Sequence, residues 1–364
     1  MTAQGHFAFV VANYAPHVGG VETHAREVVR RLRDRGHAVT VFAAEPRGER
    51  MLDGYAIVGL GRHLERGGAW SVPDARSVAT LGREFHARRI TAVSAHTRFF
   101  PTTWAAIEAA RRTRTRSVLT EHGGGPVASS SRVTNAVATL ADLSLGRRCL
   151  RGADRVFAVS ARSAEYVAHL SGRSAVVCGN GVDVAVWRPS DAPLDRRAAV
   201  YVGRLVDEKG WRAFLDVVAT LPRDVTAQIL GGGPESATLA ERVRRAGLSP
   251  RVEIAGQVDP ATVRRALAGA VFINPSTAAE GFQTTLLEAA LAGARVVTYD
   301  VGGAREVQTA GATCWVVPRG DTEGLARATR EALRETWQEA PALSRYDWDV
   351  ITDTYEAALL GDDG

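Results

Sequence analysis

Lysine is almost missing from this sequence. Of its 45 basic residues only Lys209 is a lysine, and the rest are arginine. An ammonium is a compact point charge on a flexible stem, where a guanidinium is a rigid planar fork, so position 209 is a candidate for chemistry that a fork serves badly. Drift in an arginine-biased chain would leave the same trace. Cysteine is scarce too: Cys149, Cys178 and Cys314 lie far apart without the paired spacing of zinc or redox motifs, which fits a reducing cytoplasm. No apolar run approaches the roughly 18 residues of a membrane span, and the N-terminus has no basic segment followed by a long apolar one. These absences point to a soluble chain, at most peripheral to a membrane. There is no long basic tail, zinc-finger spacing or aromatic-basic motif, and the net charge of +5 is spread along the chain, which argues against nucleic acid as a partner.

What is present is ordinary globular material, 364 residues with 45% hydrophobic and 23% charged, long enough for two domains. Short runs rich in Val, Ile and Phe alternate with segments of helical period, the pattern of parallel sheets with crossover helices. In the first half the spacing predicts strands at 7–12, 38–44, 55–60, 90–95, 117–121 and 156–160. It also predicts an amphipathic helix over 21–35, with Arg26, Glu27, Arg30, Arg31 and Arg33 facing out. Its apolar face suits packing on a sheet, or contact with an anionic membrane. The rhythm restarts with strands at 198–202, 226–230, 252–255, 271–274, 295–299 and 314–317. The expected fold class is therefore α/β: two doubly wound Rossmann-like domains facing across a cleft. The first is expected to span 1–183 and the second 184–346, joined by a linker over 180–193 that contains Pro189 and Pro193. Ligands of such sheets bind outside the carboxyl ends of the strands, where these motifs converge.

The loop after the first strand ends in Gly19 and Gly20, just before a helix. It is read either as an anion-approaching loop or as a plain turn needing positive φ. It lacks the G-x-G-x-x-G spacing of a nicotinamide site. His122 follows another strand within EHGGG and could bind a hydroxyl, act as a base or satisfy a backbone group. Gly203, Arg204 and Lys209 share one loop, in which a fork and a point charge can converge on a diphosphate unless Lys209 pairs with Glu208 or Asp207. Gly231 to Gly233 form a side-chain-free turn. In EGFQTTLLEAALAG, Glu280 lies in a loop, and Thr285 to Glu288 match a capping box, so a helix begins near Thr284 or Thr285. Glu288 either closes that box or recognises a vicinal diol such as ribose.

Taken in order, GGVE, EHG, NGVD, GRLVDEKG, GGGP and EGFQTTLLEAALAG resemble glycosyltransferase family 4 enzymes of GT-B architecture over nearly the whole chain, with smaller matches in GGARE and VVPRGD. The resemblance implies a retaining transferase that moves a sugar from a nucleotide-diphosphate donor, UDP before GDP, to a hydroxyl acceptor. It needs no metal and no other cofactor. Arg204 and Lys209 would hold the diphosphate, Glu280 the transferred sugar and Glu288 the ribose. His122 would approach the sugar, and Gly19 and Gly20 would lie against phosphates or acceptor. Gly203, Gly231, Gly233, Phe282, Gln283, Thr284 and Thr285 would line the donor site. The helix over 347–360 would cross back to the first domain. Gln283 departs from the family, which often has glycine there, and its side chain would reach the donor sugar or crowd it. The acceptor, a natural product, oligosaccharide or lipid-linked sugar, would meet loops 62–73, with an exposed Trp70, 98–103 and 124–132. Oligomeric state stays open. An epimerase or sugar-phosphate synthase of the same architecture, and a non-catalytic binding subunit, are the alternatives.

Overall fold

Contiguous apolar runs become fully buried parallel strands here because each sheet is covered on both faces. The computed structural model describes residues 4–17, 19–61, 76–126, 132–188 and 196–362, side chains at 132 and 133 excepted, and the backbone of 64–66 and 70–72. The side chains expected as acceptor contacts over 62–73, that of Trp70 included, residues 127–131 and the linker prolines Pro189 and Pro193 lie outside the described residues. The chain divides into one unit of Met1–Gly181 with Trp348–Gly364 and another of Val182–Asp347.

The first unit runs through β1 (His6–Val11), β2 (Ala38–Ala43), β3 (Gly48–Leu52), β4 (Tyr55–Gly59), a small hairpin of β5 (Leu64–Arg66) and β6 (Trp70–Val72), then β7 (Ala92–His96), β8 (Arg116–Glu121), β9 (Arg155–Ala158) and β10 (Val176–Val177). Its main sheet has the order β10-β9-β8-β7-β1-β2-β4-β3, parallel except for the antiparallel edge strand β3. The helix Gly20–Asp34 lays Ala25, Val28, Val29 and Leu32, all fully buried, against this sheet. Its apolar face is thereby used in packing. Arg31 departs from the expected outward face: it is buried beneath the returning helix Trp348–Leu360, pairs with Glu27 and Asp349, and lies over the Trp348 ring. That helix docks on the first unit through Tyr355, which is fully buried, and through Glu356, which binds Arg35 and His37.

The second unit carries β11 (Ala198–Val202), β12 (Thr226–Leu230), β13 (Val252–Gly256), β14 (Val271–Asn274), β15 (Arg295–Tyr299) and β16 (Cys314–Val317), all parallel, in the order β13-β12-β11-β14-β15-β16. Strand order reverses between β11 and β14. A doubly wound sheet opens a ligand crevice at such a switch point, outside the strands' carboxyl ends.

Candidate functional site

The loops leaving β11 and β14 at that switch point are stitched together. The amide and hydroxyl of Thr277 donate to the Glu208 carbonyl at 2.8 and 3.3 Å. Gly210, at φ +75°, packs so closely that a Cβ would stand 2.0 Å from the Pro275 carbonyl oxygen. Beside them the turn after β12 crosses the β11 loop backbone to backbone. Gly231 has φ +139°, and a Cβ there would lie 1.9 Å from the Gly203 carbonyl oxygen; at Gly233 it would lie 2.5 Å from that of Leu205. Glycine is thus required at all three positions by close approach, and at Gly210 and Gly231 by torsion as well. Gly203 leaves only 3.1 Å to the Tyr201 hydroxyl.

This stitching decides where the one lysine points. Arg212, lying over the Trp211 ring, pairs with Asp207 at 3.0 Å and with Glu235 at 2.7 Å, and Trp211 Nε1 also donates to Glu235. Asp207 is therefore engaged elsewhere, and Lys209 pairs with neither Asp207 nor Glu208. Its Nζ instead donates to Glu280 Oε1 at 2.5 Å, joining the two loops across 71 residues of sequence. Arg204 is exposed, and its guanidinium has no partner among the described residues. One cation is free, and the other is held by a partly exposed carboxylate from which an anionic ligand could draw it.

The helix Thr284–Leu291 starts beside this pair. Its N-cap is Gln283, and no side chain caps it, so the capping box expected at Thr285 and Glu288 does not form. The start at Thr284 puts Glu288 beyond the first turn's reach. The Glu288 carboxyl has no hydrogen-bond partner among the described residues, and burial pushes its pKa up to about 7. Gln283 corrects a second expectation. Its side chain turns inward, where Oε1 accepts from Asn274 at 2.7 Å, Nε2 donates to Ser276 at 3.0 Å, and the residue is 4% exposed. Its amide is also used, by the Gly302 carbonyl. Phe282 is buried beside Tyr346 and Gly303. Thr284 and Thr285, half-buried, form the open first turn, whose amides carry the partial positive charge of a helix N-terminus.

In the first unit, Gly19 is the N-cap of its helix at φ −157°, and Gly20 is helical. Neither has positive φ, so the turn reading does not hold. Without a side chain at Gly20, where a Cβ would meet nothing within 4 Å, the helix start stays open. His122 is half-buried and satisfies no backbone group; its Nε2 shares a hydrogen bond of 3.1 Å with His96 Nδ1. His96 reaches Ser94 through its other nitrogen. His24 packs edge-on to His122, with ring centroids 5.0 Å apart, and bonds Asn180 and Tyr355. Burial holds all three imidazoles below their usual pKa, His24 at about 4. They are neutral at pH 7. Arg98, expected in an acceptor loop, is fully buried instead, between Glu121 at 2.6 Å and Asp142 at 2.8 Å. Sequence reasoning passed over His24, His96 and Asn180, whose meeting depends on helix, strand and linker packing that no local spacing reports. Among the described residues no three His, Cys, Asp or Glu side chains are grouped as metal ligands, and no helix is long and apolar enough to cross a membrane.

Two doubly wound units, the second presenting cations and a helix N-terminus at its switch point, define the class of two-domain group-transferring enzymes that handle anionic donors. The comparisons make this specific. The family model for Glycosyltransferase Family 4 matches residues 18–186, and that for Glycosyl transferases group 1 matches 196–335. The chain belongs to this glycosyltransferase family. It is 29% identical over 372 residues to the phosphatidyl-myo-inositol mannosyltransferase of Mycolicibacterium smegmatis, covering 92% of this chain and 88% of that one. It is 31% identical over 236 residues to the 2-deoxystreptamine N-acetyl-D-glucosaminyltransferase of Streptomyces fradiae, covering 58% and 56%. The fold is that of Anabaena HepE, solved in complex with UDP, at TM-score 0.74 and 21% identity over 99% of this chain and all of that one. It is also that of the lipopolysaccharide galactosyltransferase WaaB, at TM-score 0.74 and 17% identity over 98% and 99%.

Proposed function

We propose that the protein is a retaining, metal-independent glycosyltransferase that moves a sugar from a nucleoside diphosphate, uridine rather than guanosine, to a hydroxyl acceptor. The observation that carries the reading is the meeting of Lys209 and Glu280 at the β11/β14 switch point, beside the unpaired Arg204 and an uncapped helix N-terminus. In this reading the diphosphate takes the Lys209 ammonium from Glu280, and Arg204 grips a second phosphate oxygen bidentately. The freed Glu280 carboxylate accepts hydrogen bonds from the transferred sugar. As the glycosidic bond breaks, charge grows on the departing diphosphate, and two fixed cations with the amides at Thr284 and Thr285 stabilise it; this is the work a metal ion would otherwise do. Glu288 accepts from the ribose hydroxyls, and His122 offers a neutral imidazole to the sugar. The preference for uridine draws on the UDP and UDP-glucose complexes of HepE, a neighbour in fold.

The test is turnover of UDP-linked and GDP-linked sugars, with a hydroxyl acceptor or water, by the wild type and Lys209→Ala at equal folded concentration. Loss of about 100-fold or more in kcat is expected, the scale of removing one donor to a developing charge. Near-normal turnover by the variant would remove the diphosphate assignment, and release of epimerised donor without acceptor would replace transfer with epimerisation.

A further inference from the structure

Apart from the adjacent pair Val176 and Val177, large apolar side chains exposed to water are scattered singly over the described molecule, except in one place. The helix Arg132–Ala141, the π-helical turn Asp142–Gly146 and the helix Arg147–Gly152 form one continuous rod. On it Val137 is 61%, Leu140 68%, Leu143 54% and Leu145 39% exposed. Four such residues within nine positions exceed what a solvated face needs, and contiguous patches of this kind mark interaction surfaces. The buried side of the rod explains why its outer side is free. Ala138, Asp142, Cys149 and Leu150 hold it to the first unit, and the Asp142 carboxylate receives two hydrogen bonds from Arg98 and one from the Tyr166 hydroxyl.

The charges around the patch choose its partner. Arg147 and Arg148 follow directly, are exposed, and have no partner among the described residues. The only acid between positions 132 and 151 is Asp142, which is buried and already paired. Exposed charge along the rod is thus of one sign. A second copy packed by two-fold symmetry would bring these arginines toward themselves, whereas a negatively charged lipid surface complements them. We propose that residues 137–148 form a docking surface for an anionic bilayer, the apolar side chains entering the interface and the two guanidiniums meeting lipid phosphates.

The same buried arginine ties this surface to the loop of His122. Arg98 bonds Asp142 on the rod, Glu121 at the end of β8 and the Gly125 carbonyl, while Glu121 also receives the Gly123 amide. Docking would therefore hold the bilayer at a fixed offset from that loop. The proposal goes beyond sugar transfer and does not rest on it.

The experiment is co-sedimentation of the full chain with vesicles of phosphatidylcholine alone and of phosphatidylcholine with phosphatidylglycerol. Expected is binding to the mixed vesicles that weakens with salt and falls tenfold or more in an Arg147→Gln/Arg148→Gln variant, at about fivefold per arginine. Leu140→Gln/Leu143→Gln should lower binding to the background of neutral vesicles. Both variants change only exposed positions, and unchanged thermal melting would show that they fold. Wild type left in the supernatant with both vesicles, or variants binding as well as wild type, would overturn the proposal. So would loss of a dimer by the leucine variant on gel filtration without any vesicle binding, which would make a second copy the partner. Donor turnover is measured separately, so a failure of the sugar-transfer reading would be seen there and not here.

Discussion

The groups around His122 in the first unit and around Lys209 in the second keep their charges in opposite states. In the first, Arg98, Glu121 and Asp142 are sealed together, and the neutral rings of His24, His96 and His122 pack on one another. In the second, Arg204 is unpaired, Lys209 has one carboxylate, and Glu288 has no partner at all among the described residues. A satisfied network fixes geometry. An open one leaves charge available to a ligand that brings the missing partners, and where such a group is buried, as Glu288 is, it is costly until paired. The difference sets a fixed framework in the first unit against open charge in the second.

Breaking the sealed network should have the largest effect. Arg98→Leu leaves two buried carboxylates without their cation and should lower stability to urea by about 3–5 kcal/mol, seen as an earlier unfolding midpoint. A change below about 1 kcal/mol would mean that the triad is solvated and that the contrast between the units is overstated. Next is the backbone crossing that shapes the open site. Gly231→Ala places a methyl against the Gly203 carbonyl in a torsion that L residues rarely adopt, and should cost about 2 kcal/mol. Donor affinity should fall with it, since the β11 loop carrying Arg204 must shift; calorimetric titration of the variant checks this.

The third effect depends on pH and is absent in acid. The Glu288 carboxyl has its folded pKa raised from about 4.5 to about 7, so the native state holds a proton that the unfolded chain has lost. Stability is full below about 4.5 and falls as pH rises from there to about 7, because the unfolded chain ionises while the buried group stays protonated; above about 7 both states are ionised and the loss is complete. Glu288→Gln should therefore melt like wild type at pH 4, where both states are protonated. At pH 8 it should be more stable by about 1–3 kcal/mol and bind donor more weakly, having lost the carboxylate. Equal melting of the two proteins at pH 8 would show that burying this carboxyl is not costly.

Legibility in the sequence follows the same division. β11, β12, β14, β15 and β16 coincide with their expected ranges residue for residue; the central β11, β14 and β15 are buried on both faces, which makes their runs largely apolar. β3, with the sequence GERML and an exposed edge, shows no such run, and β10 is two exposed residues long. The open cations were legible because free charges stand out by type and spacing: a lone lysine, a fork five residues before it, two glutamates on one segment. Satisfied groups were not. Arg31 reads as surface until the returning helix covers it, and Arg98 reads as a loop cation until Glu121 and Asp142 close on it. Gln283 reads as a donor contact until Asn274 and Ser276 claim its amide. In each case the partner lies elsewhere in the fold, and local pattern carries no record of it.

The most direct test of the account is thermal melting of wild type, Arg204→Ala and Lys209→Ala with uridine and guanosine diphosphates. A ligand that binds only the folded state raises Tm by mass action. The account predicts a rise for wild type with UDP, smaller with GDP, and little or none for either variant. An undiminished rise in both variants, or a flat response of wild type to both nucleotides, would contradict it.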